Sequence, residues 1–354
     1  MNTLPNGRLF ARTFLLVASL FWLPTIQAQT QLAANTAATS ERSLTTPDTK
    51  PTGYFNLPIK TSGGNQFWTD WRNFNNWRIQ QNSETDHCRL IGPDNIRRAW
   101  GDYAHCKQVL DKKLATGETT QPTGQVVILL HGLVRTSKSM NMLQEFLNKQ
   151  GYTTINFSYA SSRKGISHHA QALGFLINGL DTGVTDIHFV AHSLGNLVIR
   201  RYLHDTLDSN TGRGGDSRIR RIVMLGPPNQ GSHAARTLKA NRMFRLIAGK
   251  SGDQLAREWE SVEPTLATPT MEFGIIAGGQ STDSLGNPFV PGKDDYTVSI
   301  DETKLAGATD FLVRPLLHGT MMNQSEVLSA THRFFQTGYF VSEETRTPIP
   351  LPAE

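Results

Sequence analysis

The sequence predicts an α/β fold with a mostly parallel central sheet and helices on both faces. Three observations carry that expectation. Val126-Val-Ile-Leu-Leu130 is an unbroken apolar run, as a strand buried on both faces requires. From about Val126 onward, segments of strand character alternate with segments of helical period, which implies right-handed crossovers between parallel strands. The stretch D-I-H-F-V-A-H-S-L-G-N-L-V-I-R-R, Asp186 to Arg201, begins as a buried strand, breaks at Ser193-Leu194-Gly195 and resumes at helical spacing.

The elements follow in order. Arg8 and Arg12 precede the apolar run Phe14 to Leu23, then come Pro24 and the small Ala28, so residues 1–28 read as a secretory signal peptide. The run is shorter than the ~20 residues of an ordinary membrane span, and an uncleaved amino-terminal anchor is the lesser alternative. The mature chain is expected to be exported, periplasmic or extracellular. Residues 29–53 are rich in Thr, Ala, Ser and Pro and read as a linker. Residues 54–120 hold four of the six tryptophans, Trp68, Trp71, Trp77 and Trp100, with both cysteines, Cys88 and Cys106. In an oxidising compartment the two cysteines read as a disulfide, which stabilises a fold by about 3 kcal/mol for a loop of this size. The expected unit is a disulfide-containing extension with a small core of its own, packed on the main domain; an aromatic platform for lipid or sugar is the alternative.

Residues 121–340 form the expected main domain. After the strand at Val126, a helix from about Ser139 carries Met140, Leu143, Phe146 and Leu147 on one face and stops at Gly151. Thr153 to Phe157 is the next strand, and Leu173, Leu176, Ile177 and Leu180 mark the next helix. The strand ending at Ala191, the helix after Gly195 and the strand Arg221 to Leu225 continue the rhythm. Residues 232–267 lack a strand signal and carry Met243, Phe244, Leu246, Ile247, Leu255 and Trp259, so they read as helices over the end of the sheet, either a lid or an ordinary cap. Phe273 to Ala277 and Phe311 to Leu316 are the last strands, Asn323 onward the last helix, and 341–354 a tail.

The serine at the break is the centre of the functional reading. A serine hydroxyl is a poor nucleophile and needs a base within hydrogen-bond reach and an exposed position. A tight strand-to-helix turn lifts the hydroxyl above the strand ends and crowds the positions two before and two after it. Ala191 and Gly195 are small enough, although Ala191 departs from the usual G-x-S-x-G. A serine that merely caps a helix is the bland alternative. Against it stands His131-Gly132-Leu133, directly after a strand: the backbone N–H of Leu133, with that of Leu194, would receive an oxyanion. His318 follows the strand at Phe311 and is the expected base. His192 is its rival, while His168, His169 and His233 read as surface residues. Asp295 is the first choice for the acid that orients the imidazole, with Asp294 second and Asp283 third. Arg135, two residues beyond Leu133, would either meet an anionic group of a substrate or lie as a surface arginine.

Val-Ile-Leu-Leu-His-Gly-Leu, His-Phe-Val-Ala-His-Ser-Leu-Gly, Leu-Gly-Pro-Pro-Asn-Gln-Gly-Ser at 225–232, Asp-Asp-Tyr-Thr-Val and Leu-Leu-His-Gly-Thr at 316–320 together resemble a bacterial lipase or esterase of the α/β-hydrolase superfamily, in the lipase-like branch that includes GPI-inositol deacylase-like domains. The resemblance spans about Val126 to Phe335. Its acid pattern, Asp-Gly-x-Val, lays Asp295 on the acid and Tyr296 where glycine is common. It places 227–231 beside the site. The resemblance implies a serine ester hydrolase with Ser193, Asp295 and His318 as its triad, an acyl-enzyme, no cofactor, and an ester or lipid-like substrate with transient contact at a lipid surface. An acyltransferase or thioesterase using the same triad, or a non-catalytic binding protein on the same scaffold, are the alternatives.

Other chemistries leave no mark. The formal charge of +5 falls to +3 once residues 1–28, with two arginines and no acids, are removed, and short clusters such as Arg218-Ile-Arg-Arg221 lack interleaved aromatics, so nucleic acid is not an expected partner. There is no His-Glu-x-x-His or second cysteine pair for a metal, and Gly249-Lys250-Ser251 lacks the earlier glycine of a phosphate-binding loop, which would be Phe244.

Overall fold

The computed structural model describes residues 58–61, 65–279, 290 and 292–352. The expected signal peptide and linker, and Asp283, lie outside the described residues. The chain opens with strands β1 (Ile59–Lys60), β2 (Trp68–Phe74), β3 (Trp77–Asn82), β4 (Cys88–Ile91) and β5 (Ile96–Gly101), an antiparallel sheet in the order β1-β5-β4-β3-β2. Asn75 and Asn76 both take positive φ in the two-residue turn between β2 and β3, as a tight hairpin of matching twist demands. Helix α1 (Tyr103–Ala115), capped by the Asp102 carboxylate on the His105 N–H, buries Cys106 and Leu110.

This sheet is fastened by polar groups. Asp70, fully buried, accepts from Gln80 Nε2 at 2.6 Å, and Gln80 Oε1 in turn accepts from Arg89 Nη2 at 2.8 Å. The Arg89 guanidinium lies 3.8 Å over the Trp68 ring. Trp68 meets Trp100 edge-on at 5.8 Å, and Trp71 packs on Phe175 at 4.6 Å, so these tryptophans serve packing. The expected disulfide is not formed. Cys88 and Cys106 are free, buried thiols, and desolvation disfavours their reactive thiolates, raising the Cys88 thiol to about 12.

The second sheet is parallel throughout. Its strands are β6 (Gly124–Leu130), β7 (Thr153–Phe157), β8 (Val184–His192), β9 (Ile219–Leu225), β10 (Glu272–Gly278) and β11 (Asp310–Arg314), in the order β11-β10-β9-β8-β6-β7. Strands turn alternate residues to opposite faces. Val126, Ile128 and Leu130 of β6 therefore join a core with α3 (Ile166–Asn178) and α4 (Leu194–Asp205). Val127 and Leu129 join a second core with the helix preceding β7, α2 (Asn141–Lys149), and the final helix (Ser325–Thr337). Helices on both faces are thus the consequence of strands apolar on both sides.

Between β9 and β10 the expected helical insertion is α5 (His233–Thr237), α6 (Arg242–Ala256) and α7 (Trp259–Val262). Asn241 caps α6, its Oδ1 accepting from the backbone N–H groups of Met243 and Phe244. Gly249 breaks α6 at φ 59°, where a Cβ would stand 1.6 Å from the Ser162 carbonyl oxygen, so only glycine lets the helix press on the loop after β7. On the outer side Met243 and Leu246 are 53% and 78% exposed. Helix α8 (Ile300–Thr303), with the capping box Ser299/Glu302, follows the loop that carries Asp295, and α9 (Ser325–Thr337) closes the order. Residues 341–352, expected as a tail, are held at the sheet edge: Thr347 N–H donates to Asp310 Oδ1 at 2.9 Å and Ile349 N–H to the Ala308 carbonyl at 2.9 Å. Backbone pairing of this kind leaves no trace in composition. Among the described residues no helix is long and apolar enough to cross a membrane.

Candidate active site

The chain runs from β6 outward to β7, then returns to β8 on the other side of β6 and continues to β9, β10 and β11. The loops leaving β6 and β8 therefore part at a reversal of strand order, where a crevice opens at the carboxyl ends of parallel strands. Both loops carry candidate residues. Ser193 sits at φ 52°, ψ −121°, between β8 and α4, and its hydroxyl makes no capping bond to the helix. That observation removes the helix-capping alternative. A side chain held in the left-handed region costs on the order of 1–3 kcal/mol and persists only when its surroundings impose it. Ser193 N–H donates to the Leu225 carbonyl at 2.9 Å, and Gly195 lets α4 approach β6 so closely that a Cβ there would lie 2.8 Å from that of Leu130. A Cβ on Gly132 would lie 2.7 Å from His192 Nδ1 and 3.2 Å from the Ser193 Cβ, so the two loops touch through glycine.

Asp295 and His318, the candidate acid and base, lie side by side. His318 Nδ1 is 2.7 Å from Asp295 Oδ2, and the His318 N–H donates to the Asp295 carbonyl at 3.0 Å. The other carboxylate oxygen accepts from the N–H groups of Thr297 at 3.0 Å and Val298 at 2.8 Å. Asp295 is 1% and His318 8% exposed. Asp294 does not contact the histidine in this way; its Oδ1 accepts from the Tyr296 N–H at 2.6 Å. Tyr296 takes φ 75°, the backbone state for which glycine is best suited, and its ring is left exposed. Gly226, in the 225–232 turn, explains the proximity of that motif: a Cβ there would lie 3.0 Å from His318 Nδ1.

His192, His131 and His169 are held by packing and hydrogen bonds. His192 Nε2 lies 2.9 Å from the His318 carbonyl oxygen, so its protonated nitrogen fixes the backbone of the candidate base, and burial holds its own pKa well below the ordinary value. His131 stacks on Tyr159 at 4.2 Å; Tyr159 N–H donates to Nε2 at 3.3 Å, which places the proton on Nδ1, facing the Gly132 carbonyl at 2.9 Å. Desolvation lowers its pKa to about 4. His169, expected at the surface, is instead fully buried against Tyr159, with Nε2 on the Lys164 carbonyl, because α3 turns this side of its helix to the sheet.

Sequence reading missed the support of the Leu133 loop. Val134 adopts φ 59°, a genuine outlier for a β-branched residue. Its N–H donates to Ser161 Oγ at 3.0 Å, and Ser161 Oγ donates to Gln66 Oε1 at 3.1 Å. The same Gln66 oxygen accepts from Ser162 N–H at 3.1 Å, while Gln66 Nε2 donates to the Arg135 carbonyl at 2.6 Å. One carboxamide from the residue block just before β2 thus ties both loops. The adjoining strand adds Thr69 Oγ1, accepting from Ala160 N–H at 3.1 Å, and Asp70, exchanging bonds with Ser158. The Leu133 N–H makes no bond among the described residues, and Leu194, first in its helix, has no intrahelical acceptor. Among the described residues no cluster of His, Cys, Asp or Glu is arranged to hold a metal.

No family model matches the chain, and no curated protein does. Among solved structures the chain is similar to lipases and esterases. It is 14% identical to the mature lipase BlEst2 of Bacillus licheniformis, covering 62% of this chain and 92% of that one at TM-score 0.43. A gene product of Listeria innocua, lin2722, is 17% identical over 65% of this chain and 98% of its own, also at 0.43. The Staphylococcus hyicus lipase is 12% identical over 56% and 88%, at 0.40. At this distance the activities of those proteins do not pass to this chain.

Proposed function

We propose that the chain is an exported serine hydrolase of the α/β-hydrolase superfamily that cleaves carboxylic esters through an acyl-enzyme. The observation that carries this reading is the buried Asp295–His318 pair, whose histidine is anchored through its own carbonyl to His192, the residue directly before Ser193. In the proposed reaction Ser193 Oγ attacks the ester carbonyl and His318 Nε2 takes its proton, while Asp295 holds the imidazole in the required tautomer. The oxyanion is received by the Leu133 and Leu194 N–H groups, a contribution of about 3 kcal/mol per donor in sites of this type. His318 then protonates the leaving alcohol, and water repeats the sequence in reverse. The exposed apolar side chains of Met243 and Leu246 on the helical insertion support a lipid-like substrate, and Arg8, Arg12 and the apolar run to Leu23 support export.

The test is mass spectrometry of purified protein after treatment with a neutral fluorophosphonate, beside Ser193→Ala. A single adduct on Ser193, absent from the variant together with ester hydrolysis, is the expected result. No adduct and no turnover on folded protein would sink the reading and favour a binding protein on a hydrolase scaffold.

A further inference from the structure

Among the described residues, Arg135 is a cation without a counter-ion. Its guanidinium has neither a carboxylate within ion-pair distance nor a hydrogen-bond acceptor among the described residues. The two buried arginines Arg89 and Arg200, by contrast, have partners: Arg89 lies on Gln80 and Trp68, and Arg200 donates to Asn229 and to the carbonyls of Leu266 and Ala267. The position of Arg135 is not that of a free surface chain. Its carbonyl is held by Gln66, and a Cβ on Gly319 would stand 2.8 Å from its Nη2, so the guanidinium rests against the residue after His318. Its charge is felt by both His131 and His192, the histidines on either side of the crevice. Partial burial has stripped hydration from a charge that no group among the described residues repays, and desolvation lowers its pKa accordingly.

We propose that Arg135 recognises an anionic group, phosphate or carboxylate, on the alcohol portion of the ester. The side follows from the geometry: the guanidinium lies on the His318 side of the crevice, and the imidazole that protonates the leaving oxygen faces the alcohol. A guanidinium offers such an oxyanion two parallel donors. This inference rests on the hydrolase reading and assigns the substrate class within it.

Two matched pairs of butyryl esters test it: 1-butyrylglycerol 3-phosphate against 1-butyrylglycerol, and O-butyrylglycolate against 2-hydroxyethyl butyrate. The acyl group is constant within each pair, and the two pairs separate phosphate from carboxylate. The expected result is a kcat/KM at least about tenfold higher for the anionic member of one pair, a preference that shrinks as salt rises. Arg135→Gln should bring that ratio to about one. The ratio is read within each variant, so a general loss of turnover cancels, and Arg135→Met, which keeps the apolar stem, serves if the glutamine variant does not fold. Equal rates within both pairs for the unaltered enzyme, or a preference that survives loss of the guanidinium, overturn the inference. If Ser193 takes the fluorophosphonate and the neutral esters are cleaved in that case, the hydrolase reading stands without it. If neither happens, both fall.

Discussion

Strands β6 and β2 solve the problem of burial in opposite ways. In β6 the five residues from Val126 to Leu130 are all apolar and fully buried, and two helical layers cover them. In β2 the buried residues include Thr69, Asp70 and Asn73, each spent on a hydrogen bond to another element. The parallel sheet therefore supplies a rigid platform whose strand ends carry Leu133, Ser193 and the Asp295–His318 pair. The antiparallel sheet supplies directional bonds that hold the loop geometry on that platform. Apolar contact is non-directional and fixes density, whereas a satisfied polar network in a low dielectric fixes one arrangement. On the proposed reading the candidate catalytic residues sit on one sheet, and the hydrogen bonds of Thr69 and Asp70 to the loop after β7 come from the other.

The largest break in this comparison is expected at the platform. Asp295→Asn keeps the volume of the side chain but presents an amide N–H to His318 Nδ1, which favours the wrong imidazole tautomer. On the precedent of catalytic triads, kcat should fall by about 10³ to 10⁴, while the urea midpoint moves little. Steady-state kinetics on a neutral butyrate ester and an unfolding curve check both halves. A loss below about tenfold would move the orienting role away from Asp295.

The two sheets should also answer pH with opposite sign. Burial lowers the pKa of His131 and His188, both to about 4, so these side chains stay neutral in the fold but charge in the unfolded chain. Their contribution is present above the unfolded value near 6.5 and is lost as pH falls toward 4, by up to about 3 kcal/mol each. Asp70 behaves in reverse. Burial raises its pKa, so its contribution is present below the unfolded value near 3.8 and is lost as pH rises through the raised value in the fold. Urea unfolding between pH 7 and 4 should show a steep loss of stability. His188→Gln should flatten that loss, and Asp70→Asn should steepen it. Parallel curves for all three proteins would show that these groups do not carry the slope.

The same contrast decides how much was legible in the sequence. Unbroken apolar runs announce β6 and β8, and small residues around Ser193 announce the elbow, because close packing of strand and helix constrains residue type locally. The choice of Asp295 over Asp294 is strengthened by the Asp-Gly-x-Val pattern of the α/β-hydrolase resemblance, and Tyr296 at φ 75° supplies the backbone reason for that pattern. The antiparallel sheet left weaker traces: W-T-D-W-R-N-F mixes buried polar and aromatic residues whose partners are far away in the chain, so no local period reveals them. His169 was misplaced for a related reason, since a histidine with one carbonyl and one ring for company resembles a surface residue in sequence. Cys88 and Cys106 were read by compartment, whereas the fold leaves them as buried thiols.

The smallest expected effect is the most direct test of whether the antiparallel sheet shapes the chemistry. Gln66 touches no candidate catalytic side chain, yet its carboxamide closes the path from Arg135 through Ser161 to Val134, the strained neighbour of Leu133. Gln66→Ala removes that tie, and Val134 would relax toward an unstrained φ, carrying the Leu133 N–H away from the oxyanion. A donor displaced this way is missed in the transition state more than in the ground state, so kcat should fall by about 10- to 100-fold with KM within a fewfold. Global stability should fall by only about 1–2 kcal/mol, the range for a lost hydrogen-bonding partner. A merely structural role would instead show full kcat in the folded fraction. The split between kcat and KM, read beside the unfolding curve, separates a glutamine that positions the oxyanion loop from one that only fastens two sheets together.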